Sequence, residues 1–324
     1  MKYKTKILGL SLLAMTLCVS LALGAYYSYR GGESRSARLL ESFLKTGTLN
    51  ELLFSGGEKG VRLKAEPAGK ASRNWSVIIN EEKYPAAREK AEHFLELALG
   101  VSLLPPITEN EDKWKLFGLE DTVKTRIRFS GPGGTTEILL GKDEETGRGQ
   151  YIRFAGTKAV YLASISLSYY AERDASYWSD LRVFPASLKT QDIVAMSASG
   201  LVSWEIIRER KEGGLLWEAQ GTPVIKLDQG KVDSIAAALS QINAKSFAGE
   251  AEKEGAGIDS GQAVFTLTAA GKTRYELRLG RADKDGNRYA QARVNGEPLP
   301  HLYSIDAYTL GKIVLPRGDL AAAP

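Results

Sequence analysis

Cysteine and histidine are scarce in this 324-residue chain, which has one cysteine and two histidines. With Cys18 alone, the chain cannot form an internal disulfide. His93 and His301 are 208 residues apart in the sequence, and no second cysteine accompanies them, so a zinc site is not expected. No local motif indicates a Ser-His-Asp or Cys-His catalytic arrangement. The sequence therefore predicts no catalytic, cofactor-binding or metal-binding residues and no enzymatic activity.

The body of the chain also lacks net charge. The chain has 43 Lys and Arg residues against 39 Asp and Glu residues, and Lys2, Lys4, Lys6 and Arg30 account for the difference. The rest of the chain then holds 39 charged residues of each sign. A neutral body offers no basic surface to a phosphate backbone, so nucleic acid is not an expected partner.

The first thirty residues contain a long apolar run. Between Lys6 and Arg30 lie 23 residues without a charge, which as a helix would be roughly 33 Å long and would cross a bilayer. The lysines before the run favour a cytoplasmic N-terminus. Residues 1–30 are therefore predicted to be a single transmembrane anchor in the inner (cytoplasmic) membrane, with an extracytoplasmic or periplasmic body. The alternative is a signal peptide cleaved before Ala25, although such peptides usually have apolar cores of about 7–15 residues.

A short helix is expected just after the anchor. Leu39, Leu40, Phe43 and Leu44 recur at helical spacing, which is typical of one apolar face. Residues 31–50 are therefore predicted to form a juxtamembrane helix and linker.

Beyond this point the chain repeats itself. "EILLG" at 137–141 matches "ELRLG" at 276–280, and "FGLED" at 117–121 matches "AGIDS" at 256–260, both with an offset of 139 residues. Apolar and polar residues alternate in and around the first pair, which indicates half-buried strands. A period this long indicates repeated domains rather than a solenoid.

The pattern of a tryptophan strand followed by a helix also occurs twice. "NWSVII" carries Trp75 and "LLWEAQ" carries Trp217. An apolar helical stripe follows each strand. In the first copy Pro85 is expected in the opening turn of the helix and Gly100 at its end, and in the second copy Asp228 is the expected N-cap.

These landmarks predict an α+β protein with two tandem, internally similar units built on antiparallel sheets. The first unit is expected at 51–185, the second at 190–315, and a C-terminal tail at 316–324. If the units are copies, Leu140 and Leu279 lie on equivalent strands.

The same landmarks resemble a family of membrane-anchored bacterial proteins defined by a domain of unknown function, DUF4340. The segment "YWSDLRVF" is similar to the family's Trp-Arg-Asp-Arg pattern, with Trp178 and Asp180 kept and Ser179 and Leu181 departing from it. The resemblance implies an extracytoplasmic partner of ABC-type export systems, including those associated with gliding motility. The family has no established chemistry, so the resemblance assigns no functional residue.

Aromatic residues near the junction of the units form a candidate interaction surface. They are Tyr169, Tyr170, Tyr177 and Trp178. Exposed aromatic residues are enriched at interfaces, so they are candidates for contact with a glycan or a protein partner. The alternative is that they pack the two units together.

Three further features of the sequence have a structural interpretation. "DKDGN" at 283–287 begins like a calcium loop, but the segment lacks the bidentate Glu at the twelfth loop position, and a hairpin turn is expected. His301 is expected in a proline-flanked turn, and His93 in the first helix.

The leading functional hypothesis is a non-enzymatic, membrane-anchored module that binds or scaffolds an envelope complex. The expected partner is an ABC-type permease or another envelope protein, and no cofactor is expected. The second hypothesis is a glycan- or peptide-binding envelope protein that uses a cleft between the units. An envelope hydrolase is the third.

Overall fold

A computed structural model describes residues 37–41, 49–56, 60–67, 73–212 and 214–322. The predicted anchor at 1–30 lies outside the described residues. Within the described ranges, no helix is both long enough and apolar enough to cross a membrane.

The chain folds into two compact units that are interleaved in sequence. The first comprises Met1–Ala65 and Glu92–Arg173, and the second comprises Glu66–Ala91 and Asp174–Pro324. Residues 66–91 therefore belong with the second unit, in which the Tyr84 ring stacks on Phe247. The boundaries 51–185 and 190–315, drawn from the linear repeat, stay a prediction.

The first unit is built mainly of strands. Its strands are β1 (Ala37–Arg38), β2 (Glu51–Ser55), β3 (Val61–Pro67), β6 (Ser102–Leu103), β7 (Arg126–Gly131), β8 (Gly134–Asp143), β9 (Gln150–Phe154) and β10 (Val160–Ala163). The boundary between the units falls within β3, so only its residues up to Ala65 belong to the first unit. Its helices are α1 (Arg88–Gly100), α2 (Trp114–Phe117) and α3 (Ser168–Ala171). The second unit boundary falls within α1, which belongs to the first unit from Glu92 onward.

The second unit combines a hairpin with a larger sheet. The hairpin strands are β4 (Arg73–Ile79) and β5 (Glu82–Pro85). The sheet strands are β11 (Ile193–Gly200), β12 (Trp204–Lys211), β13 (Gly214–Ala219), β14 (Ser246–Ala248), β15 (Ala263–Ala269), β16 (Arg274–Ala282), β17 (Arg288–Val294) and β18 (Glu297–Ile305). The helices are α4 (Ala175–Trp178), α5 (Gln229–Ser240), α6 (Glu250–Lys253) and α7 (Ala307–Gly311).

The two units share one strand order. In the first unit the order includes β3-β2-β7-β8-β9-β10-β6, and in the second it includes β12-β11-β15-β16-β17-β18-β14. Neighbouring strands in the two series pair antiparallel. The α+β class with antiparallel sheets is therefore confirmed, and so is the equivalence of Leu140 on β8 with Leu279 on β16.

A glycine marks the same close approach in both units. A Cβ atom on Gly141 would lie 2.3 Å from the Phe117 carbonyl oxygen, and one on Gly280 would lie 2.1 Å from the Ala256 carbonyl oxygen. In each unit the register of the following strand pair shifts at this glycine. The 139-residue offset therefore reproduces a backbone contact as well as a sequence pattern.

The core of each unit follows from its apolar periodicity. On α1, Phe94 packs against Phe54 at 5.0 Å and Phe129 at 6.2 Å between ring centroids. In the second unit, Val232, Ile235 and Leu239 form the buried stripe of α5, and Asp228 caps this helix by accepting from the Lys231 backbone N–H. The predicted cap is confirmed.

The predictions for Pro85 and for the segment after the anchor differ from the structure. Pro85 ends strand β5, and α1 begins only at Arg88, because the hairpin continues to the proline. Within the predicted juxtamembrane helix, residues 37–38 form strand β1 paired with β6, and residues 42–48 lie outside the described part.

The segment predicted as a C-terminal tail packs into the second unit through residue 322. Leu320 is fully buried, and its carbonyl oxygen accepts from the Asp228 backbone N–H at 2.9 Å. Arg317 donates to the carbonyl oxygens of Gln220 and Pro223, each at 2.9 Å.

Candidate functional site

The second unit contains an open cleft beside the β4–β5 hairpin, with a volume of about 460 Å³. We call it the hairpin cleft. It is lined by Glu66, Arg73, Asn74, Trp75, Ser76, Lys83, Tyr84, Pro85, Ala86, Arg88 and His301.

The hairpin is closed by a two-residue turn. Asn80 and Glu81 have φ angles of 51° and 65°, the left-handed conformation that both central residues of a type I′ turn require. The register then pairs Val77 with Tyr84, so both side chains lie on the same face of the hairpin. Both are buried, which fixes the position of the Tyr84 ring at the floor of the cleft.

Two of the lining residues, Tyr84 and His301, form a cluster of four aromatic rings with Phe247 and Tyr303 (the aromatic cluster). Tyr84 stacks on Phe247 with centroids 4.5 Å apart and planes 18° apart. His301 lies 5.6 Å from Tyr84 and 5.3 Å from Phe247. Strand pairing sets Phe247 directly opposite Tyr303. The sheet therefore holds the hairpin through ring contacts.

Glu82 fixes the hairpin to the start of α6. The Tyr84 hydroxyl donates to the Glu82 carboxylate, and the Glu250 backbone N–H donates to Glu82 Oε1 at 3.2 Å. Both hydrogen bonds lower the pKa of Glu82, and the one from Tyr84 has the larger effect. Burial raises the pKa of Tyr84, and its hydrogen bond to Glu82 adds to the effect. Tyr84 therefore stays a neutral donor at physiological pH.

The cleft carries an excess of positive charge. Arg73, Lys83 and Arg88 line it together with a single carboxylate, Glu66. Glu66 is already paired with Lys83, with Nζ and Oε1 2.5 Å apart. Arg88 is exposed and makes no ion pair with any residue the structure describes. The arrangement is thus suited to an anionic group.

His301 lies on strand β18, so its predicted location in a turn is wrong. The prolines that suggested a turn, Pro298 and Pro300, both lie within the same strand. His93 lies on α1, as predicted. Burial lowers the pKa of His301, and the positive charge of Lys253 adds to the effect. The imidazole is therefore neutral at pH 7.

The lowered pKa of His301 makes the folded state sensitive to acid. The unfolded chain binds a proton at this imidazole more readily than the folded chain, so stability falls as the pH drops below the ordinary value of 6.5. We expect His301→Gln to reduce the loss of melting temperature between pH 7.5 and pH 5.5. His93→Gln is the matched control and should retain the full loss. Equal losses in wild type and His301→Gln would contradict the assignment.

Comparison with known proteins places the chain in a family. The model of the family described as "Domain of unknown function (DUF4340)" matches residues 75–259, more than half of the chain. The chain belongs to the DUF4340 family. This DUF4340 chain is also 24% identical over 133 residues to an uncharacterized protein of Treponema pallidum (strain Nichols). That alignment spans 40% of the chain and 42% of the Treponema protein. No solved structure matches the chain.

The hairpin cleft lies partly within the family match. Trp75, Tyr84, Arg88 and Phe247 fall inside residues 75–259, whereas His301 falls outside them. The DUF4340 segment therefore supplies the hairpin, one arginine and the stacking partner of Tyr84.

The predicted aromatic surface is divided between the units of this DUF4340 protein. Tyr169 and Tyr170 lie on α3 in the first unit, where Tyr169 is 52% exposed and Tyr170 packs 5.1 Å from Phe94. Tyr177 and Trp178 lie on α4 in the second unit, where Trp178 is fully buried. A binding role for these four residues stays a prediction.

The turn that resembles a calcium loop is a hairpin turn. Asp283 Oδ1 accepts from the backbone N–H groups of Asp285 and Asn287, at 2.8 and 2.9 Å. The side-chain hydrogen bond from Asn287 is the main reason for the lowered pKa of Asp283. Glu144 accepts hydrogen bonds in the same way in the corresponding turn of the first unit. These hydrogen bonds, of which the one from the Thr146 hydroxyl has the largest effect, lower the pKa of Glu144 to about 2. Among the described residues, no group of three or more metal-ligand side chains is suited to a metal ion.

Proposed function

We propose that this DUF4340 protein is a non-enzymatic binding module, anchored in the inner membrane with its body on the extracytoplasmic side. The single observation that supports a binding role is the hairpin cleft, an open cavity of about 460 Å³ whose polar groups converge beside an aromatic floor. Such cavities are the default location of ligand sites. The uncharged run in residues 7–29 and the lysines before it support the anchor.

The chemistry of the cleft favours binding over hydrolysis. Its carboxylate, Glu66, is held in an ion pair with Lys83. Its imidazole, His301, contacts aromatic rings, and within the described part of the chain no hydrogen bond orients it. A general base needs an orienting partner and access to a nucleophile. The cleft therefore provides contacts for a ligand without a supported acid–base pair.

We further propose that the module serves an ABC-type export system as an accessory or scaffolding component. This part of the proposal is supported by the resemblance to membrane-anchored DUF4340 proteins. A glycan- or peptide-binding envelope protein is the second candidate, and the observation that favours it is the same cleft.

Affinity purification of the full-length chain tests this proposal. After crosslinking in its own membranes, we expect the protein to be recovered with an ABC-type permease and its ATPase. A reporter that is active only outside the cytoplasm should also function when fused after Pro324. The control is a chain that lacks residues 1–30. It should neither co-purify with the transporter subunits nor give activity of the reporter. Recovery without any transporter subunit would contradict the accessory role, and activity of only a cytoplasmic reporter would contradict the topology.

A further inference from the structure

A short apolar segment lies exposed on the first unit. Leu104, Pro105, Pro106 and Ile107 directly follow β6, and we call these four residues the LPPI segment. All four are exposed, Leu104 by 55% and Ile107 by 46%. Single exposed apolar side chains are ordinary on a protein surface, but four in succession indicate a functional surface.

The backbone of the LPPI segment needs no water for its hydrogen-bond donors. The Leu104 N–H donates to the Leu162 carbonyl oxygen at 3.0 Å. The Ile107 N–H donates to the Val160 carbonyl oxygen at 2.8 Å. The two prolines between them have no N–H. An unpaired N–H costs free energy in a medium poor in water, and this segment has none. The LPPI segment therefore suits an apolar environment.

The LPPI segment begins where the chain enters the first unit from its N-terminal side. Ala37, the first residue that the structure describes, pairs with Leu103 on β6, and Leu104 is the next residue. Seven residues, 30–36, separate Ala37 from the end of the uncharged run. Even fully extended, a chain of that length spans at most about 25 Å. The proposed anchor would therefore keep the LPPI segment close to the bilayer surface.

The chemistry of the LPPI segment favours a lipid surface over a peptide partner. A peptide that adds to a sheet edge is held by the N–H and C=O groups of that edge, and the two prolines remove the donors that it would use. The four side chains have no charge and no polar atom. Charges of both signs follow at 109–115, so the contact is not expected to depend on the net charge of the lipids.

We propose that the LPPI segment inserts into the interfacial region of the membrane that holds the anchor. This inference rests on the proposed anchor and gives the body of the protein a second contact with the same bilayer. The contact fixes the orientation of the first unit at the membrane surface.

Fluorescence quenching of the full-length protein in phosphatidylcholine nanodiscs tests the inference. Leu104→Cys is made together with Cys18→Ser, so that the new cysteine is the only one in the chain, and it carries an environment-sensitive fluorophore. We expect the emission to shift to the blue, and to be quenched when some of the lipids carry a spin label near the headgroup. Raising the salt concentration should leave the quenching unchanged, because no charge takes part in the contact.

Thr135→Cys, labelled in the same Cys18→Ser background, is the matched control in the first unit. Thr135 is exposed on β8. This strand lies three places from β6 in the sheet, which is about 14 Å across the strands. The fluorophore at this position should show neither the blue shift nor the quenching.

Ile107→Ser is the variant that weakens the contact. In the protein labelled at residue 104, it should lower the ratio of inserted to free segment by about tenfold, because burial of an isoleucine side chain contributes a free energy of that order. The variant is expected to fold, since Ile107 is exposed and surface substitutions have small effects on stability.

Three outcomes would overturn the inference: equal quenching at both labelled positions, no quenching at residue 104, or the same quenching with and without Ile107→Ser. Failure of the proposed anchor gives a different result, because the protein would then not co-elute with the nanodiscs. Failure of this inference alone leaves co-elution intact, so the two failures are distinguishable.

Discussion

Adding one methyl group at Gly141 or Gly280 is expected to destabilise the protein by about 3 kcal/mol. The new Cβ would lie 2.3 Å from the Phe117 carbonyl oxygen or 2.1 Å from the Ala256 carbonyl oxygen. Both obstacles are backbone atoms, so rotation of a side chain cannot relieve the overlap. In the second unit the Arg281 backbone N–H also donates to the Ala256 oxygen at 2.8 Å, and moving the strand away would break this hydrogen bond.

Urea denaturation of Gly141→Ala and Gly280→Ala is the appropriate measurement. Gly271→Ala is the control, since a Cβ there meets no atom within 4 Å, and its stability should stay within about 0.5 kcal/mol of wild type. Each alanine variant should expose its own unit to hydrogen exchange first. A Gly280→Ala protein as stable as wild type would show that the backbone contact is not tight.

Replacing Trp217 or Trp75 with alanine is expected to cost about 3–5 kcal/mol. Trp217 is 2% exposed and Trp75 is 4% exposed. Trp217 also connects β13 to α5, because its Nε1 donates to Asp233 Oδ1 at 2.8 Å. The Gln229 side chain accepts from the Trp217 backbone N–H at 2.8 Å and donates to its carbonyl oxygen at 2.9 Å. Helix α5 thereby provides hydrogen-bond partners for the β13 backbone at Trp217 as well as for the indole N–H of Trp217.

Thermal denaturation measures the loss, and Leu215→Ala is the control on the same strand. Leu215 is 58% exposed, so its truncation should change stability by no more than about 0.5 kcal/mol. Trp217→Phe should cost less than Trp217→Ala, because it keeps most of the buried area and removes only the hydrogen bond. Trp75 also lines the hairpin cleft. A Trp75→Ala protein that stays stable but loses its ligand would identify that residue as part of the site rather than the core.

The duplicated fold was predictable because its signals are local and occur twice. "EILLG" and "ELRLG" each combine alternating apolar residues with the glycine that a close backbone contact requires. The same offset relates the segments that supply the opposing carbonyl oxygens, at Phe117 and Ala256. Because two separate pairs of segments share the same offset, the repeat can be recognised from the sequence alone.

The site was not predictable because it assembles residues from distant parts of the chain. Tyr84, Phe247 and His301 come from β5, β14 and β18, and no local pattern around any of them indicates the other two. The prolines that flank His301 predict a turn, although prolines are tolerated in strands where no ladder hydrogen bond is needed. The pairing of β14 with β18, which brings Phe247 to Tyr303, could be learned only from the tertiary structure.

The interleaving of the two units affects the protein during its synthesis. Tyr84 leaves the ribosome 163 residues before Phe247, the ring on which it stacks. At roughly 5–20 residues per second, the delay is about 8 to 33 s. The strands of the first unit are completed during the first part of that interval, and the Tyr84 ring has no stacking partner until the interval ends. A nascent chain that ends before Phe247 would therefore carry a finished first unit and an exposed aromatic hairpin, a product prone to aggregation.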